Sequence, residues 1–599
     1  MNRLRAEGSG LRAVTPSPQP RTPSLTWLPW IGLGAFAVLW LARWPIFPLA
    51  LDPYYHLLIA RQIVDAGGPI AYEWWEHAPV GRPHLYPPVL HLLLALLLKS
   101  GLSPVTVIRL ASVVLPVALL VSLYLAMRRL AGPGSALAVL GSALTPFAFH
   151  LHCAITLAST LGMIELLWLL IALEEHRPVA AGSLLVLLGY THLGLPGMAL
   201  IMVAAYAAVR GAATWKMLAR AGWGLLLVLP WWAHLLSARP GMQVTARWEN
   251  AGIEIMPVLL AAAAAGLWRC WRLKGRFTWL IACWIGFLTL VPRHFYRWLN
   301  GEGMLPLLFL AGVGIEWAVH AWGVVRWPSL RLGTPSERRM VAGVCAGIAL
   351  LLSPTLVRTD AGPSTHPRRP TRFASQSEAK RSMWGESAGG SLPGSPTTLA
   401  ARPGTPGRAG GAGGTSSPLG EPARLRWQWR WPDAAPWHLA GAPFVVRKER
   451  DATFLSPHVE RLAALVARQT SSSDILWSNA PYALGLIAAL AHRPMSSAMF
   501  NEVAASRPFN PIAAARLVVF FKLDRMPGWV SVADLRPYPL TPVAEDEVAT
   551  LYRQSGVVQS ARPPQAMMPL GAAAAGLALL VGLAAWDLGR TRQRGAIPL

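Results

Sequence analysis

Apolar stretches close to the ~20 residues needed to cross about 30 Å of hydrocarbon recur along most of this 599-residue chain, separated by short polar loops. A chain of this pattern must satisfy its backbone inside helices, because hydrocarbon offers no partner for a free N–H or C=O. The pattern predicts about twelve membrane spans, near 25–43, 103–127, 134–150, 159–173, 178–190, 195–209, 218–236, 251–268, 277–292, 303–322, 339–355 and 566–587. The composition agrees: 53% of residues are hydrophobic and only 14% charged, which excludes a soluble enzyme as the first reading.

The formal net charge of +25 would point to nucleic acid in a soluble protein. Here the basic residues alternate with the spans. One set of loops holds Arg3, Arg5, Arg12 and Arg21, then Arg128 and Arg129, Arg210 to Arg220, Arg269 to Arg276, Arg326 to Arg339, and Arg590 to Arg594. The positive-inside rule puts this set, and therefore both termini (1–24 and 588–599), in the cytoplasm, and no nucleic-acid partner is needed to explain the charge. No cleaved signal peptide is expected, since the first apolar run lacks a small-residue cleavage site. Ala-, Arg-, Gly- and Pro-rich usage fits the plasma membrane of a prokaryote.

Four cysteines, Cys153, Cys270, Cys283 and Cys345, lie in or beside expected spans, which excludes a disulfide framework and a CxxC zinc site. Residues 25–355 form the expected transmembrane domain, with an outer loop at 44–102. Residues 356–439, rich in Pro, Gly, Ser and Arg, read as a disordered linker. From 440 to 565 the helical run HVERLAALVARQ, the strand-like DILWS and ARLVVFFKL, and a second helix predict a small α/β domain on the extracytoplasmic side. The expected fold class is thus a polytopic α-helical membrane protein with a small α/β extracytoplasmic domain.

The chemistry concentrates in LDPYYHLLIARQIVDAGGPIAYEWWEHAPVGRPHLYPPVLHLLLALLL, residues 51–98. Asp52 stands at the mouth of the first span with His56 four residues on, one face of a helix if one starts there. Taken alone, Asp52 is equally well a helix cap. DPYYH followed by a glycine turn, Pro79-x-Gly81 and Pro87-Pro88 resembles the first outer loop of oligosaccharyltransferase catalytic subunits, the archaeal ones above all. Those belong to the GT-C class of membrane glycosyltransferases, which take sugar from a polyprenyl-phosphate carrier. The resemblance implies that Asp52 binds a divalent metal, Mg or Mn, and lies beside the acceptor.

RHFYRWLNGEGMLPLLFLAGVGI, residues 293–315, is similar to the late segment in which an arginine meets the carrier's phosphates, a role implied here for Arg293 and Arg297. Guanidinium forks suit phosphate oxygens, while arginines snorkelling beside Tyr296 and Trp298 are the plainer account. Glu249 falls in the place of a mobile loop whose glutamate meets the acceptor. SSSDILWSNAPYALGLIAALAHRPM, from 471, resembles the frame around WWDYG, with Asp474, Trp477, Arg493 and Pro494 in position; LWSNAPY stands where the motif itself would be. Trp477 and His56 are therefore candidate substrate contacts. The family's second-loop acids are missing: Ala158 and Thr160 stand near those positions. His150 and His152 are the alternative metal ligands with Asp52. Glu165, inside the fourth span, is a further functional candidate.

These residues imply an oligosaccharyltransferase-like membrane enzyme of protein glycosylation, transferring sugar from a polyprenyl-(di)phosphate donor, held among membrane lipid, to an acceptor protein or glycan at the outer face. The alternatives are a catalytically silent relative that binds a lipid-linked saccharide or a partner, and a transporter. The orientation has a direct check. A cysteine placed within 440–560 is expected to react with a membrane-impermeant thiol reagent in intact cells; protection there would invert the topology.

Overall fold

The structure, a computed structural model, describes residues 27–48, 52–144, 146–238, 254–273, 278–291, 295–326, 355–360, 425–430, 457–499, 505–522, 535–546, 548–556, 560–561 and 565–590. The expected tails 1–24 and 591–599, the expected span at 339–354, most of the expected linker, Glu249 and Arg293 lie outside them.

Helices come first in the chain. They are α1 (Leu28–Leu41), α2 (Asp52–Ala66), α3 (Val89–Lys99), α4 (Pro104–Leu130), α5 (Pro133–Ala143), α6 (Phe147–Ile155), α7 (Leu157–Glu174), α8 (Pro178–Gly189), α9 (Leu195–Arg210), α10 (Ala212–Ala221), α11 (Trp223–Ala238), α12 (Pro257–Arg272), α13 (Thr278–Leu288), α14 (Phe295–Asn300) and α15 (Met304–Arg326). Between α2 and α3 runs a short antiparallel hairpin, β1 (Tyr72–Glu73) and β2 (Arg82–Pro83). Strand β3 (Glu254–Ile255) precedes α12 and pairs with β4 (Thr355–Asp360), which pairs with β5 (Leu425–Arg430). Then come α16 (Pro457–Gln469), β6 (Leu476–Ser478), α17 (Pro481–Ala491), α18 (Pro511–Ala514), β7 (Leu517–Phe521), β8 (Leu540–Glu545), β9 (Ala549–Gln554) and the last helix, α19 (Leu570–Gly589).

Among the described residues, four helices are long and apolar enough to cross a membrane: α4, α7, Met304–Ala321 of α15, and α19. The pair α10–α11, bent by 53°, makes a fifth if counted as one span, and six further apolar helices are shorter. Two sequence expectations change. The segment 134–150 is not one helix: α5 ends at Ala143 and α6 starts after Pro146, because a proline disfavours the helical conformation in the residue before it. The linker expected at 356–439 contains β4 and β5, paired antiparallel from Thr355↔Arg430 to Asp360↔Leu425. Leu425-Arg-Trp-Gln-Trp-Arg430 alternates apolar and polar at strand period, a signal outweighed in composition by the Pro/Gly-rich run before it.

Charged contacts fix which helix ends lie together. Arg129 at the end of α4 pairs with Glu175 just past α7 (3.8 Å), and Arg210 at the end of α9 pairs with Glu174. Asp587, near the end of α19, accepts hydrogen bonds from the backbone N–H groups of Val179 and Ala180 at the start of α8 (3.1 and 2.9 Å), where free donors need an acceptor. The starts of α4, α7, α9 and α19 therefore share the opposite end of the bundle. The hairpin β1–β2 and the four-stranded sheet lie at that end.

That sheet has the order β6-β7-β9-β8, with β6 parallel to β7 and the remaining pairs antiparallel. Its inner face does not close on itself. Leu476, Leu517, Val519 and Leu551 join Leu462 and Val466 of α16, Leu484 and Ile487 of α17, and Leu57, Leu58, Ile63, Leu94 and Ile108 of α2 to α4 in one buried apolar cluster. Arg61 of α2 donates to the carbonyls of Ala489 and Leu490 at the end of α17 (2.5 and 3.0 Å), and Asp65 pairs with His492 (2.9 Å). A guanidinium there suits the exposed carbonyl end of a helix.

In the bundle, α12 and α15 meet backbone to backbone. A Cβ on Gly314 would lie 2.0 Å from the Ala262 carbonyl oxygen, and one on Gly266 would lie 1.8 Å from that of Leu310. Small residues at both positions permit this approach, as is usual between membrane helices. Gly314→Val should force the helices apart and lower the melting temperature of the detergent-purified protein by several degrees. Gly34→Val, which meets nothing within 4 Å, should melt with the wild type.

Candidate functional site

Asp52 opens α2, within the helix's first turn, where the positive end of the dipole favours a carboxylate. His56, one turn on, is buried. Its Nδ1 lies 2.8 Å from Nε2 of His91 on α3, and its ring packs edge-on to Tyr86 (centroids 5.0 Å apart). Burial, and then His192 and His84, push the His56 imidazole down to about 3, so it is neutral at physiological pH.

A charge cluster braces these rings. Glu73 and Arg82 face each other across the hairpin, with Arg82 Nε 3.0 Å from Glu73 Oε2 and its other nitrogen on Glu76. Tyr55 donates to Glu73 (2.9 Å), whose same oxygen meets His84 Nδ1 at 2.5 Å. Burial alone would raise Glu73, but Arg82 and then His84 outweigh it and hold the carboxyl below its usual range. Glu76 also accepts the backbone N–H of Met499 (2.7 Å), which ties the hairpin to the segment after α17. The hairpin depends on Gly81: φ is +67°, and a Cβ there would sit 2.5 Å from the Glu73 carbonyl oxygen. This explains the glycine of the Pro79-x-Gly81 pattern.

The second half of the site is organised by Glu302, in the turn between α14 and α15. Its carboxylate is fully buried. It accepts from the Ser159 hydroxyl (2.6 Å) and faces Arg297 Nη1 at 3.4 Å and His152 Nε2 at 3.5 Å. Burial would raise its pKa; Arg297 first and His152 next reverse that and hold it well below the ordinary carboxyl value. Ser159 lies between Ala158 and Thr160, so an acid from a late turn reaches the place where the second loop carries none.

His192 lies in the turn between α8 and α9. Its Nδ1 accepts the backbone N–H groups of Gly194 (3.0 Å) and Leu195 (3.1 Å) at the start of α9. Burial and Arg297 push the imidazole down to about 4. Thr191 beside it donates to Glu165 of α7 (2.8 Å), so this intramembrane acid is anchored to the same turn.

The sequence candidates are thus partly gathered and partly dispersed. His152 and Arg297 meet at Glu302, whereas the ring contacts of His56 run to His91 and Tyr86. His150 is elsewhere: its ring sits against Phe36 and Trp40 (centroids 5.0 and 6.1 Å) in the bundle core. Two residues apart on a helix point about 200° apart, so His150 and His152 leave opposite sides of α6. Among the described residues, no group of three or more His, Cys, Asp or Glu is placed to hold a metal ion. The set Asp52, His150 and His152 does not fit one divalent cation. Trp477 is also apart from the cluster. Alternation along β6 turns it away from Leu476, and it packs with Ala515, Val518 and Leu535. Arg493 holds the carbonyls of Ala467 and Thr470 at the end of α16 (3.0 and 2.8 Å).

Sequence reasoning passed over Glu302, Glu73, Arg82, His84, His91 and His192. The density of histidine within 51–98 and the acid flanked by glycines in Asn300-Gly-Glu-Gly303 were the available signals.

Comparison with solved structures finds GT-C glycosyltransferases. The chain is similar to ArnT from Cupriavidus metallidurans in the apo state, at 14% identity and a TM-score of 0.49, covering 88% of this chain and 97% of ArnT. It is similar to the same protein bound to undecaprenyl phosphate (13%, TM-score 0.48, 90% and 100% covered). It is also similar to the archaeal oligosaccharyltransferase AglB from Archaeoglobus fulgidus, in complex with an inhibitory peptide and a dolichol-phosphate (11%, TM-score 0.44, 83% and 69% covered). No protein-family model and no curated protein sequence matches this chain.

Removing the Glu302 carboxylate would break its pair with Arg297 and its hydrogen bond with Ser159 at once. Breaking a buried pair in this way costs about 3–5 kcal/mol, so Glu302→Ala should lower the melting temperature markedly. Glu302→Ala melting with the wild type would mean that the buried pairing contributes nothing to stability.

Proposed function

We propose that this chain is a glycosyltransferase of the plasma membrane that moves a sugar from a polyprenyl-phosphate or polyprenyl-diphosphate carrier to an acceptor protein or glycan at the outer face. The observation that carries this reading is the gathering of Arg297 and His152 around Glu302 at the end of an apolar bundle. A lipid carrier needs an apolar wall for its chain and cationic or N–H donors for its phosphate, and this arrangement supplies both next to each other.

In this reaction the acceptor's nucleophilic atom attacks the anomeric carbon, the bond from that carbon to the phosphate oxygen breaks, and the carrier phosphate leaves with the electron pair. Asp52 takes up the proton that the acceptor loses. Arg297, and Arg293 outside the described residues, stabilise the charge that grows on the leaving phosphate. Glu249, also outside them, is the candidate contact to the acceptor. No step is assigned to a metal ion, since the residues expected to hold one do not come together. The dispersal of Asp52, His150 and His152, with the burial of Trp477, favours one second reading: a silent relative that binds a lipid-linked saccharide without transferring it. Turnover of a lipid-linked sugar by the purified protein separates the two, and binding without turnover selects the second.

Asp52→Asn should abolish transfer while the protein still inserts and melts normally, because a partly exposed carboxylate contributes little to packing. Unchanged activity would remove Asp52 from the reaction. Arg297→Lys keeps the charge but loses the fork. With charge-assisted contacts worth about 1.5–3 kcal/mol, it should lower kcat about tenfold or more and change the donor KM less. A silent Arg297→Lys would return Arg297 to interfacial snorkelling.

A further inference from the structure

Arg43 follows the end of α1, and its place in the bundle is fixed from both sides. The helix runs antiparallel to α4: Trp30 near its start meets Tyr124 edge-on (centroids 5.7 Å apart), and Trp40 near its end donates to the Ser112 carbonyl (3.0 Å). Arg109, nearer the start of α4, donates to the carbonyls of Phe47 (2.9 Å) and Pro45 (3.3 Å) and so pins the turn that Arg43 opens. Arg43 therefore lies at the end of the bundle that carries the hairpin and the four-stranded sheet. It is only 9% exposed, and among the described residues its buried Nη2 has no hydrogen-bond partner.

A guanidinium stays ionised, so a buried one needs a counter-charge. The elements packed here supply none. Neither 26–51, which holds α1 and its turn, nor 104–155, which holds α4, α5 and α6, contains a single Asp or Glu. The ring that α6 places against Trp40 is His150, which is no anion, and Arg109 adds a second positive charge. Snorkelling does not account for Arg43, because a snorkelling side chain carries its head into water, whereas Nη2 is shut away from it. Just before the turn, Val38 and Leu41 of α1 are exposed. An unpaired cation beside an exposed apolar helix face complements both halves of a phospholipid, the phosphate and the acyl chains.

We propose that Arg43 is the headgroup-binding residue of a lipid site at this end of α1, where its guanidinium holds the phosphate of an anionic phospholipid whose acyl chains lie along Val38 and Leu41. The lipid supplies the negative charge that the surrounding helices omit, and the bilayer thereby stabilises the protein. Nothing in this assignment depends on the transfer of a sugar.

The test uses the full-length protein, stripped of lipid in a non-ionic detergent, with phosphatidylglycerol as the probe. Phosphatidylglycerol should raise the melting temperature of the wild type by several degrees and that of Arg43→Met far less, and its binding to Arg43→Met should be weakened about tenfold or more. Without lipid, Arg43→Met should melt at or above the wild type, because Met fills similar space and removes an uncompensated charge. Arg43→Lys keeps the charge but loses the fork, so its binding should fall between the two, and it carries the test if the Met variant does not fold. Equal stabilisation and equal affinity in wild type and Arg43→Met, or a wild-type response in Arg43→Lys where the Met variant fails, would overturn the assignment. If undecaprenyl phosphate acts through Arg43 and phosphatidylglycerol does not, the occupant is the carrier; if inorganic phosphate alone gives the full shift, it is a free anion. Either result overturns the phospholipid site.

Discussion

Glu302 carries a charge into a place with no water, and the polar end of the bundle is arranged around that cost. An ionised carboxylate in apolar surroundings is tolerated only when partners surround it, and here they come from separated parts of the chain: Ser159 from the start of α7, His152 from α6 and Arg297 from α14. Each partner fixes an element. The short helices α6 and α14 both reach the same carboxylate, through His152 and Arg297. The turn of His192 holds the start of α9 through two backbone hydrogen bonds. A similar solution recurs at the hairpin, where Arg82 sits between Glu73 and Glu76.

The membrane character of the chain was legible in the sequence because hydrocarbon thickness imposes a length on apolar helices. The helix at Asp52 was legible for a local reason, a carboxylate at a helix start. What failed to show was convergence. His150 and His152 look like a pair in one dimension, yet the helix carries them to opposite sides. Glu302 lay in a segment read for its arginines, and its partner Ser159 is 143 residues away. Trp477 occupied the frame of a recognition motif, but strand alternation turned it into the sheet's second core. Contacts of that range depend on how loops fold over one end of the bundle, which neither spacing nor composition records.

The buried cluster shared by α2, α3, the start of α4 and the four-stranded sheet has a consequence for synthesis. Arg61 finds its carbonyl partner 428 residues later in the chain, and the apolar faces of α2 and α3 are covered by α16, α17 and the four-stranded sheet, all made after residue 456. At ordinary elongation rates of about 5–20 residues per second, the gap is roughly 20–90 s. Through that interval α2 and α3 have each other and the start of α4 to pack against but not the later helices and sheet, which leaves part of the cluster of Tyr54, Leu57, Leu58 and Ile63 open. A nascent chain of this protein therefore spends most of its own translation with an unfinished core, and arrest of the ribosome before residue 457 would release a bundle whose polar end is built but whose roof is absent.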